Sequence, residues 1–363
     1  MRSYRIALLM LLSLFVLSCK KDKDETTPEF DKNQLLTNYG TNLIVPTYER
    51  LDESVYLLEV KVNDFISVSN QSNLLALRLQ FLSTYEAWQS CSFMHFGPSD
   101  NYTLKQVFNT YPVDTSLINT NISSGTYVLG AASNTVAIGL PALDFLLFPN
   151  KDLAIALSRI NGVNSVNKKQ YIKNVVLQLK AAITSTLSSW RTGHLSTFIS
   201  SNGNSQGSSL SEIVNAINLD FEKFTRDGKI GIPLGVRSLG TPIPSKTEAF
   251  YSKYSLVLFK ESIQQLKQYF NGESSSNIGL DDYLNHLNDN NRTARLSTRI
   301  NSQFDIIIQK ANLITNPISI AVISEQANVQ KLYDELQKII VLLKVDLSSA
   351  LSILITYQDN DGD

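Results

Sequence analysis

Apolar residues in this chain recur by threes and fours over long stretches and scarcely ever alternate, which commits it to helices. The clearest run is 319–357. There Val329, Leu332, Leu336, Ile339, Leu343, Leu347, Ala350 and Leu354 form one stripe, predicting a long helix with one buried face. Residues 168–199 do the same with Ile172, Val176, Leu179, Ile183, Leu187 and Trp190. In 291–313 the stripe is Leu296, Ile300, Phe304, Ile308 and Ala311, closed by Asn316-Pro317. In 246–270, Phe250, Tyr254, Val257, Leu258 and Leu266 share a face; Ser245-x-x-Glu248 reads as a capping box and Gly272 as a stop. The N-terminal half predicts a helix over 31–69 (Leu51, Val55, Leu58, Val62), kinked early by Pro46, and another over 71–95 (Leu75, Leu79, Leu82, Tyr85, Trp88). Each stripe is accounted for as bundle core, so the predicted fold class is all-α.

Two stretches escape this pattern: 97–137, and 226–247 with its glycines and prolines. Long ordered loops of this kind are often functional. Each follows one helix and leads into another. That similar order predicts two helical bundles, 31–200 and 201–358, joined through the Ser/Asn/Gly stretch Ser200 to Ser209.

The first residues are an address. Arg2 and Arg5 precede the apolar run Ile6 to Val16, which is too short to span the ~30 Å bilayer core. The segment 1–18 therefore reads as a signal peptide. Val16-Leu17-Ser18-Cys19 resembles a bacterial lipobox, implying lipidation of Cys19. The charged run from Lys20 to Glu25, within a tether 19–30, has nothing to bury and holds the globular part off the membrane. The expected location is the cell envelope, lipid-anchored in the outer membrane and surface-exposed. Without Arg2 and Arg5 the chain carries 30 basic against 33 acidic residues, no footprint for nucleic acid. With Cys19 acylated, Cys91 has no disulfide partner and is expected to be buried.

Few residues suit a metal. The three histidines are His95, His194 and His286. Cys91 with His95, and His286 with Asp289 beside Asp281 and Asp282, have chelating spacings, but a helix end and a solvated polar turn account for them. The acidic tail 359–363 resembles only the start of a calcium loop.

One motif carries more. In Gly139-Leu140-Pro141-Ala142-Leu143-Asp144-Phe145-Leu146-Leu147-Phe148, Pro141 suits a first helical turn and Asp144 a buried, hydrogen-bonded position near the helix start. The stretch resembles the imelysin (insulin-cleaving membrane protease-like) family, which carries G-x-H-x-x-E followed by an aromatic and Leu-Leu-Phe. Thr84-Tyr85-Glu86-Ala87-Trp88, the run Lys229 to Gly235, the Pro-rich lead into Glu248 and the chain end from Tyr357 also match. The resemblance implies two helical bundles with a site between them, an envelope lipoprotein associated with iron uptake, and membership of a family partly classed as metallopeptidases. It makes Gly139, Pro141 and Asp144 ligand-binding positions, with Trp88 and Glu248 lining the site. Pro141 stands where the family has His, and Asp144 where it has Glu. Of the motif only Asp144 could then hold a metal, whether iron or another divalent cation, weakly and through oxygen. The reading is a non-enzymatic ligand-binding protein, its partners the membrane and iron-uptake components. The alternatives are a metallopeptidase of the same family and a surface partner-binding bundle.

Overall fold

Pro46 removes a backbone donor from what would otherwise be one long helix, and the chain absorbs it with a widened turn. In the computed structural model, which describes residues 29–274, 276–288 and 294–357, helix Lys32–Thr37 passes through a π-helical stretch, Asn38–Ile44, into α1, Val45–Ser67. There follow α2 (Gln71–Gln89), α3 (Leu104–Asn109), α4 (Gly139–Leu147), α5 (Ser165–Ser189), α6 (Ser209–Leu219), α7 (Ser255–Phe270), α8 (Ala294–Asn312) and α9 (Gln326–Ile340). Among the described residues there is no strand, and no helix is long and apolar enough to cross a membrane. The signal peptide, Cys19, the charged run before residue 29, Asp289 and the tail 359–363 lie outside the described residues.

The architecture is all-α, two helical bundles. In the first, α1 packs on α2 and α5, and α3 packs on α4 and α5. In the second, α8 packs on α7 and α9, while a π-helix, Asp220–Gly231, continues α6 and packs on α7 and α9. Contact of α7 with α2 joins the bundles, and Lys32–Asp363 form one compact unit.

Several predicted elements are displaced. The second helix ends at Gln89, and its buried face holds Leu74, Leu77, Phe81, Tyr85 and Trp88. Leu75 and Leu79 are 44% and 60% exposed. This helix is covered from two sides, by α1 and α7, so its core face is broader and centred one residue earlier than a single stripe suggests. Helix α7 begins at Ser255, because Glu248 is drawn into a buried ion pair and caps nothing. The run 319–357 breaks at Glu325, whose carboxylate turns back to accept from the Thr315 and Asn316 N–H groups at 3.0 and 2.9 Å. It ends at Ala350, leaving Leu354 exposed. The stretch 97–137 is not bare loop: it holds Pro98–Asn101, α3, Thr115–Ser124 and a 3-10 turn, Ala132–Ala137. Much of 226–247 is likewise helical, in the π-helix and Ile232–Leu234.

Candidate functional site

The motif helix α4 starts hard against the backbone of α3. Gly139 has φ +78°, and a Cβ there would sit 2.6 Å from the Phe108 carbonyl oxygen and 2.7 Å from that of Val107. Only glycine meets both demands. Three residues after Pro141, Asp144 is buried and accepts from the Tyr251 N–H at 2.8 Å and the Ser252 N–H at 3.0 Å. Burial pushes its carboxyl up to about 6, although those donors favour the charged form. Asp144 thus pins the turn that follows Glu248, where Ala249 and Lys253 take positive φ.

Beside these contacts lies a cavity of about 720 Å³, walled by residues 88–112 of the first bundle and 219–246 of the second. Trp88, stacked on Phe108 at 4.9 Å between ring centroids, forms one wall. Its Nε1–H is buried without an acceptor among the described residues. The opposite wall is the π-helix. Its i→i+5 bonding widens each turn, so Leu219, Phe224, Gly228 and Ile232, four or five residues apart, all face one space. The Thr225 hydroxyl donates to Asp220 across the same interval, at 3.0 Å.

Two buried charge clusters frame the cavity. In the first, Asp220 accepts from Lys105 Nζ at 3.2 Å and lies 3.3 Å from His95 Nε2. Burial alone would raise its carboxyl, but Lys105 and His95 outweigh it and hold it well below the usual range. Burial lowers both His95 and Lys105, with Asp220 opposing. Lys105 also stands 3.9 Å over the Phe224 ring, a cation–π contact. In the second, Glu248 meets Lys229 at 2.5 Å and accepts from Asn109 at 2.7 Å and Gln89 at 3.2 Å. Lys229 donates to Gln89 Oε1 at 2.7 Å, and Tyr85 donates to Asn109 at 2.6 Å.

Of the predicted site residues, the structure puts Trp88 on the cavity wall and Glu248 in the cluster behind it. Gly139, Pro141 and Asp144 do not line the cavity. They stand one layer back, supporting α3 and the 248–253 turn. Cys91 and His95 are both in the wall, but the helix has ended at Gln89, so helical i, i+4 geometry is lost. The Cys91 thiol faces the Trp88 carbonyl oxygen at 3.6 Å, and burial pushes it far above its ordinary value. His194 packs edge-on against Trp190, at 4.6 Å. His286, with Asp281 and Asp282, sits on a helix, Leu280–Asn288, and not in a turn. Among the described residues no three His, Cys, Asp or Glu groups converge as metal ligands. Sequence reasoning missed Lys105 and Asp220 altogether, and gave no role to Gln89, Asn109 or Lys229. Their partners lie 115 to 140 residues away in most cases, and no local pattern marks such pairs.

The fold and the cavity define an all-α protein of paired helical bundles with a ligand-sized space where the two meet. The chain belongs to the imelysin family, whose model matches residues 44–344. Its fold is that of an imelysin-like protein from Psychrobacter arcticum 273-4, 18% identical, TM-score 0.69, covering 90% of this chain and 97% of that one. It is also that of a protein from Parabacteroides distasonis ATCC 8503 provisionally named iron-regulated protein A precursor, 15% identical, TM-score 0.74, with the same coverage. No curated protein matches the chain.

Proposed function

We propose that this is a ligand-binding, non-enzymatic lipoprotein of the imelysin family, held in the cell envelope through Cys19 and serving iron uptake. The observation that carries the reading is the partly open cavity beside Trp88. Its volume suits a small molecule, its walls are mostly apolar, and its buried ion pairs are already satisfied by one another. Iron uptake is what the imelysin resemblance implies, and the name of the Parabacteroides distasonis neighbour, which calls that protein iron-regulated, is in keeping with it. The lipid anchor, the outer-membrane location and surface exposure rest on the lipobox-like Val16-Leu17-Ser18-Cys19 and the charged run after it. Any metal held through the motif would have Asp144 alone, and its oxygens are engaged by two backbone N–H groups.

One observation favours a peptidase as the second reading: His95, in the cavity wall, is paired with Asp220 behind it, as a general base and its orienting carboxylate would be. Two measurements decide. Native mass spectrometry of protein taken from membranes should show a bound small molecule, and the same preparation should leave casein and insulin uncut. Cleavage blocked by a chelator, or by His95→Ala, would establish the peptidase instead.

A further inference from the structure

The charges around the cavity select among ligands. Three ammonium groups border it, from Lys105, Lys223 and Lys246, against one bordering carboxylate, Asp100. Asp220 behind Lys105 is already satisfied by Lys105, His95 and Thr225. Lys223 lies 5.9 Å from the Tyr357 ring, and neither it nor Lys246 meets a carboxylate among the described residues. An ammonium only donates hydrogen bonds. The unsatisfied groups of this space therefore ask for acceptor oxygens carrying negative charge, while Leu104, Leu219, Phe224 and Ile232 ask for an apolar body.

Deepening the binding reading above, on which it rests, we propose that the cavity takes a small organic anion and not a bare metal cation. Its charged oxygens face the lysines, and its aromatic or aliphatic body lies against the π-helix wall. A bare cation would meet an excess of positive charge among the lining residues. Iron would enter only already wrapped in an anionic chelator.

Calorimetric titration with 1-naphthoate, its neutral amide 1-naphthamide, and ferric or calcium ion alone tests this. The expected result is naphthoate binding that weakens with salt, naphthamide at least tenfold weaker, and no heat from either metal ion. The double variant Lys223→Gln/Lys246→Gln, altering residues on or near the surface that the fold does not need, should lose roughly tenfold in naphthoate affinity. Equal binding of acid and amide, or binding of a bare cation, would overturn the anion class while leaving the cavity a binding site. Failure of every probe would overturn the cavity reading and this proposal with it.

Discussion

At the scale of single residues, the decisive groups are charges without water. Glu248 and Lys229 are both buried, and each satisfies the other. Removing one partner of such a pair leaves a bare charge inside, at about 3–5 kcal/mol. Glu248→Ala should cost that much in a denaturant titration, and the further change Lys229→Met should recover part of it. Asp144 carries a pH signature. Its carboxyl is raised to about 6 in the folded chain, against an ordinary 3.8. The folded state therefore holds the proton more tightly than the unfolded one. The stability this contributes is complete below about pH 3.8 and is lost as pH rises through about 6. The neutral isostere Asp144→Asn has no such loss. Between pH 4 and pH 7 the difference in unfolding free energy should move in the variant's favour by up to about 3 kcal/mol. A pH-independent difference would show that the carboxyl titrates normally. Truncation to Ala, which strands both N–H donors, should destabilise by about 1–3 kcal/mol at pH 4, where the wild-type carboxyl is still protonated, and by less as pH rises.

At the scale of elements, the motif helix works as a buttress. Gly139 lets α4 touch the Val107 and Phe108 carbonyls, the backbone that leads directly into the cavity wall. Gly139→Ala brings both a positive-φ strain and a backbone clash, and should cost about 2 kcal/mol or more. Because α3 must shift, the same variant should also weaken any cavity ligand, which calorimetry would register alongside the melting curve. Much of this layer was legible. The stripes of α5, α8 and α9 and the buried carboxylate at 144 all follow from residue spacing. The phase of α2 did not, since a helix buried on two sides has no single stripe. The π-helix Asp220–Gly231 did not either: its i→i+5 bonding spaces residues by four and five, a rhythm easily mistaken for a glycine-broken loop.

At the scale of the whole molecule, the all-α class and the family were readable from periodicity and motif order, while the cavity was not. Its walls come from two halves of the chain that meet only after folding. The same meeting predicts cooperativity. Fluorescence from Trp88 and Trp190, both buried in the first bundle, and far-UV circular dichroism, which reports the helices of both bundles, should share one unfolding transition, and two separated midpoints would show the bundles melting independently. The Lys229–Glu248 cluster has a consequence for traffic. It spans the bundles, and Asp144 on the Tyr251 and Ser252 amides and Asn38 on the Gly272 carbonyl, at 2.9 Å, span them too. Swinging the halves apart would expose several such latches at once. Losing even one buried charge partner corresponds to a hundredfold or more, by about 1.4 kcal/mol per tenfold, in the frequency of opening. The proposed ligand would therefore have to exchange without the bundles parting, so that a cross-link fixing the two together should leave its exchange rate unchanged.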